Sequence, residues 1–178
     1  MAERTREAFE QIPEDRRSQA ALVFTAHSVP TRTVEAPAAD ADASKRLWPG
    51  HGADPYAEEA RHTAELVGAR VPEIPRWWFA FQSQGASGGP WLGPSVEETL
   101  DQIASEDVKA LILQPIGFLC DHVEILFDVD ILFREYAIRL GVQIERPESL
   151  NASVTLAKAV ADLACGGLGR LGTLLSPI

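Results

Sequence analysis

Cysteine is scarce: Cys120 and Cys165 are the only two in 178 residues. Two widely separated thiols are too few for a Cys-built zinc or iron–sulfur framework. Long apolar runs are also missing. Nothing approaches the roughly 18 residues of a membrane span, and the first twenty residues are charged where a signal peptide would be apolar. The reading is a reduced, cytoplasmic setting with no membrane span, peripheral association being left open. Positive charge is the third shortage. Sixteen Lys and Arg face 26 Asp and Glu, a formal net charge of -10, which argues against nucleic acid as a partner. What is present is ordinary globular material, 46% hydrophobic and 24% charged, of a length that makes one domain with its own core.

The chain alternates apolar, strand-like runs with helical stretches. Residues 4 to 12 read as a short helix stopped by Pro13, and residues 20 to 26 as a buried strand. "EAPAADADASKRLWPGHGADP" follows; residues 35 to 53 within it read as a loop insertion. A helix over 56 to 69 leads to "RWWFAFQ" (76 to 82), an aromatic strand where one of Trp77 and Trp78 should face the core. Ser95 is an N-cap candidate with Glu97 and Glu98 in the first turn behind it. "VKALILQPIGF" (108 to 118) is apolar enough for a strand covered on both faces. A long helix over 121 to 140, a short strand 142 to 145 and a helix 152 to 165 complete the series. The Gly-rich tail, residues 166 to 178, follows a helix instead of preceding one, so it reads as a frayed terminus and not as a phosphate loop. Such alternation predicts βαβ crossovers and a parallel sheet, with ligands at the carboxyl ends of its strands. His27, Gln82, Ser83 and the stretch from Gly117 all fall there.

"CDHVEILFDVDILFRE" (120 to 135) is the most informative segment. At about 100° per residue, Asp121, Glu124, Asp128 and Glu135 share one helix face within about 60°. Apolar residues cover so much of the remaining circumference that the helix should be largely buried. A carboxylate stripe there needs a partner, a wet cavity or a cation. Asp121 also suits an N-cap and Glu124 a dipole partner, whereas Asp128 has no Lys or Arg at i±3 or i±4. A histidine facing Glu124 from a neighbouring strand end would offer nitrogen and oxygen ligands to a divalent metal, or a proton acceptor near neutral pH. Residue types alone leave both roles open. His51 and His62 read as surface residues.

"FTAHSVP" (24 to 30), "DPY" (54 to 56), "FQS" (81 to 83), "PWLGP" (90 to 94), "PIGFLCDHVEILFDVD" (115 to 130) and "ESLN" (148 to 151) occur in that order. Together they resemble the C-terminal half of ferrochelatase, over about residues 18 to 165. The resemblance implies a Rossmann-like, three-layer α/β domain with a four-stranded parallel sheet flanked by helices. It implies insertion of Fe2+, as substrate metal, into protoporphyrin IX or coproporphyrin III. His27 and Glu124 match the family's facing catalytic residues, and the metal-binding set becomes His27, Glu124 and Asp128. Gln82 and Ser83, ending a strand beside His27, read as cofactor-adjacent; Trp91 reads either as a wall of the porphyrin cleft or as a loop anchor; and His122 resembles a family histidine that supports the site, with capping as the alternative. The family's helix at this place often contains a π-turn, which would move Glu135 off the stripe. Its pattern carries an acidic residue four positions beyond Asp128, where this chain has Leu132. No cluster-forming cysteine set marks an iron–sulfur member, and Cys120 reads as a packed loop residue. Because the match covers one half of a two-domain enzyme, turnover would need an N-terminal domain or a homodimer partner. A non-catalytic domain that binds metal or tetrapyrrole is the alternative.

Overall fold

The structure, a computed structural model, describes residues 1–31, 55–85 and 90–174, with 167–174 as backbone alone. The expected insertion, 35 to 53, lies outside the described residues. Helix α1 (Ala2–Gln11) and a single turn, α2 (Glu14–Arg17), precede β1 (Ala20–His27). Then come α3 (Tyr56–Gly68), β2 (Trp77–Gln82), α4 (Val96–Ala104) and β3 (Ala110–Pro115). A π-helix (Ile125–Phe133) runs directly into α5 (Arg134–Arg139), followed by β4 (Gln143–Glu145) and α6 (Val154–Leu174).

The four strands form one parallel sheet in the order β2-β1-β3-β4. The chain leaves β1 toward one edge and returns across it to β3, so the direction of winding reverses between these two strands. With right-handed crossovers, that reversal puts the helices on opposite faces. Strand alternation divides the core accordingly. Leu22, Phe24, Phe79, Phe81 and Ile112 pack with α1 and α3. Ala21, Val23, Ala80, Leu111 and Leu113 pack with α4, the π-helix and α5. β1 and β3 are buried along almost their whole length, as strands covered on both faces should be.

Two local signals read from the sequence are realised. Ser95 accepts the Glu98 N–H at 3.1 Å while Glu98 accepts the Ser95 N–H at 2.8 Å, a complete capping box opening α4. Trp77 and Trp78 point to opposite faces. Trp77 packs edge-on to Phe24 and keeps 38% exposure, and Trp78 rests against the second core.

The 121-to-140 helix differs from expectation. It begins at Val123, its nine residues Ile125–Phe133 are π-helical, and the buried residues Ile125, Val129, Phe133 and Ala137 recur every fourth position. Bonds of i→i+5 type widen the turn, so a four-residue spacing holds one face. Only that column is buried. Leu126, Phe127, Ile131 and Leu132 are 44–50% exposed and Val123 is 79% exposed, so the helix is not the largely buried element expected. Glu124 and Asp128 keep a common column that ends in Leu132, while Glu135 belongs to the α-helical continuation and is exposed. Cys120 is exposed, not packed. The last helix continues through Leu174 and takes in most of the tail that read as frayed, although each glycine weakens a helix by about 1 kcal/mol. Among the described residues no helix is long and apolar enough to cross a membrane.

Candidate active site

In open α/β sheets the crevice for ligands lies beyond the carboxyl ends of the strands where winding reverses. Here that place is between β1 and β3. His27 is the last residue of β1, paired with Gln82 at the end of β2. Alternation puts His27 on the same face as Ala21, Val23 and Thr25, the face covered by the π-helix.

His27 is fixed from several sides. Its carbonyl accepts the Tyr56 hydroxyl at 2.8 Å. Burial pushes the Tyr56 pKa up, against the effect of that bond, so the phenol remains a donor. The next residue extends the ladder, Ser28 donating its N–H to the Gln82 carbonyl at 2.7 Å and its hydroxyl to Leu92 O at 2.8 Å. His27 Nδ1 contacts the Ser28 carbonyl oxygen. A carbonyl only accepts, so Nδ1 carries the hydrogen and Nε2 of the neutral ring presents its lone pair outward.

What Nε2 faces is Glu124 Oε1, 3.0 Å away. That oxygen is sealed from solvent and makes no aligned hydrogen bond, although the two side chains as wholes keep 39% and 30% exposure. Two lone-pair atoms at this distance repel unless a proton or a cation lies between them. The geometry therefore suits a pair that takes up one or the other. Loop β3–π-helix reaches this position by passing over the end of β1. Gly117 donates its N–H to Thr25 O at 3.2 Å, and a Cβ on it would meet Ala26 Cα at 2.9 Å. Glycine is required there by space.

Gln82, Ser83 and Asp128 come together beside this pair. Thr25 donates to Gln82 Oε1 at 2.7 Å, Gln82 Nε2 donates to Ser83 Oγ at 3.4 Å, and Ser83 Oγ donates to Asp128 Oδ2. Thr25 and Gln82 are buried, and Ser83 holds its place with φ of +63°. Asp128 thus answers its missing helical cation with a hydroxyl. Among the described residues no group of three or more His, Cys, Asp or Glu gathers as a metal site, so the structure brings together His27 and Glu124 and leaves Asp128 with Ser83. His122 lies behind Phe118, its ring centroid 5.1 Å away, and Phe118 stands 6.3 Å from His27. Trp91 bridges to Pro30, and Leu92 donates to Val29 O at 3.0 Å, so this loop is zipped to the segment after His27.

Asp121 does not cap the helix. It binds Arg146 at 2.8 Å and accepts from Asn151 Nδ2 at 3.0 Å. Burial alone would raise its pKa, but the bonds from Asn151 and the Ser149 backbone, with the Arg146 charge, hold it below the ordinary aspartate value. Arg146, Tyr56 and Phe118 are site-building residues that the sequence reading passed over. Tyr56 and Phe118 stood inside quoted motifs, and Arg146 stands two residues before "ESLN".

The overall design is that of a chelatase-like α/β domain. A CbiX protein of cobalamin (vitamin B12) biosynthesis from Marinobacter aquaeolei VT8 shares the fold with a TM-score of 0.53, over 85% of this chain and 98% of that one, at 18% identity. The ferrochelatase family model matches residues 1–168, and the chain belongs to the ferrochelatase family. It is 49% identical over 176 residues to the ferrochelatase of Acidobacterium capsulatum, covering 99% of this chain and 54% of that protein. It is 41% identical to the ferrochelatase of Herpetosiphon aurantiacus (90% of this chain, 48% of that one) and 38% identical to the coproporphyrin III ferrochelatase of Mycolicibacterium vanbaalenii (91% and 44%). The chain spans about half the length of the curated relatives it matches.

Proposed function

We propose that this chain is the metal- and proton-handling domain of a ferrochelatase, which inserts Fe2+ into a porphyrin and releases two protons. The observation that carries the reading is the His27 Nε2–Glu124 Oε1 approach of 3.0 Å at the crevice between β1 and β3. Iron enters as substrate. Two protein ligands suit a metal that must move on, because they leave its other positions to the four nitrogens of the macrocycle. The same Nε2 lone pair can accept a pyrrole proton, with the Glu124 carboxylate balancing the imidazolium that forms. Asp128, through Ser83 and Gln82, supports the wall behind the pair, His122 backs Phe118 beside His27, and Trp91 holds the loop next to the porphyrin position.

The exposed apolar residues Leu119, Val123, Leu126 and Phe127 surround the segment that carries Glu124. They suit one face of a planar macrocycle, and binding a bent ring against such a wall favours the geometry of metallation. The same exposure supports a second reading, in which this domain binds metal or tetrapyrrole but turns over only with a second wall. That wall would come from an N-terminal domain or a second copy of the chain. Porphyrin metallation with Fe2+ under anaerobic conditions, run beside gel filtration, tests both. The first reading expects turnover once the segment of the Acidobacterium capsulatum relative that this chain does not cover is added. A monomer of this chain that binds porphyrin but stays inert on its own supports the second, and turnover by a dimer of this chain assigns the second wall to another copy.

A further inference from the structure

Glu124 sits in the first helical turn just after a stretch, residues 118 to 122, that is neither helix nor strand. Such a segment keeps one conformation only if something outside it holds it. The ties come from the segment after β4. Arg146, whose side chain is 12% exposed, donates Nε and Nη2 to the two oxygens of Asp130 at 2.6 and 2.9 Å. Its Nη1 donates to Asp121 Oδ1 at 2.8 Å. Asp121 precedes Glu124 and Asp130 follows it, so one planar guanidinium grips the chain on both sides of the carboxylate. Asn151 adds a second hold, accepting the Asp121 N–H at 2.8 Å and donating its own N–H to Leu119 O at 2.8 Å.

We infer that Arg146 is a positioning residue: by binding Asp121 and Asp130 at once, it fixes the place from which Glu124 faces His27. The inference rests on the reading of His27 and Glu124 as the working pair. A lysine carries the charge but lacks the fork that spans two carboxylates.

The test uses the chain as it stands, with Arg146→Lys and Arg146→Gln. Amide hydrogen exchange reads the loop, and titration with Co2+ alone, followed by absorption, reads the pair. Arg146→Lys is expected to speed exchange at Asp121 and Leu126, the latter bonded to His122 O at 2.9 Å, while Leu22 to Phe24 in β1 stay protected. Co2+ affinity should fall by at least about tenfold, the usual effect of losing a residue that orients a ligand. Arg146→Gln should show both effects more strongly, and if it does not fold, the lysine variant decides. Unchanged exchange at Asp121 and Leu126, or a uniform rise throughout the sheet, overturns the inference. His27→Ala in parallel separates the two claims. If it removes Co2+ binding and Arg146→Lys leaves binding intact, the pair stands and the role of Arg146 falls. If Co2+ binding does not depend on His27, the pair reading falls, and exchange alone decides what Arg146 holds.

Discussion

His27 and Glu124 are each more than a quarter exposed, and an ion pair in that setting adds under about 1 kcal/mol to stability. Their juxtaposition therefore needs a chemical explanation more than a structural one. Glu124→Gln keeps the side chain's shape and removes its charge. It should lower metallation by about 100-fold or more, the contribution expected of a positioned acid–base group, while the urea midpoint moves little. Equal loss of midpoint and activity would assign Glu124 to folding instead. Asp121 behaves in the opposite way. Its carboxyl is held below the ordinary value of 3.8, so folding gains stability from it above that value and loses it as pH falls through the folded-state pKa. Urea midpoints should decline as pH drops below 3.8, and Asp121→Asn should flatten that part of the decline. A variant curve parallel to the wild type would show that Asp121 is not among the groups responsible.

Elements place these residues, and the sequence showed some elements better than others. β1 was legible because its run from Ala20 to Ala26 is apolar on both faces and ends at a histidine before a proline. The helix starting after Ser95 was legible from its N-cap serine and the acidic residues of its first turn. Ser95→Ala should lower stability by about 1 kcal/mol without affecting metallation, checked by urea denaturation beside the activity assay. The π-helix was not legible from periodicity. "VEILFDVDILF" is apolar nearly all round, which conceals whether a turn takes four or five residues, and only the family resemblance raised the alternative. Gly117 looked like any loop glycine, because its requirement comes from Ala26 on another strand. Gly117→Ala should cost about 1–3 kcal/mol, as overpacking does, and push the loop leading to Glu124 away from His27. Retained stability with wild-type metallation would show that the crossing has room to spare.

At the scale of the whole molecule, parallel winding gathers the site. The reversal between β1 and β3 opens the crevice, and strand alternation turns Thr25, His27 and Gln82 toward the π-helix. The alternation of strand and helix in the sequence announced this architecture. It did not announce the tie from Arg146, whose partners Asp130 and Asp121 are 16 and 25 residues away and meet it only through packing. The apolar surface around Glu124 was likewise expected to be buried. Its exposure fits a domain that supplies one wall of a porphyrin site, in a chain about half as long as its relatives. The most direct test is the loss of porphyrin fluorescence on Fe2+ insertion, with this chain and the complementary segment of the Acidobacterium capsulatum relative mixed. The account predicts that His27→Ala slows the reaction by at least about 100-fold, with unchanged circular dichroism and elution volume. Turnover near the wild-type rate in that variant would contradict it.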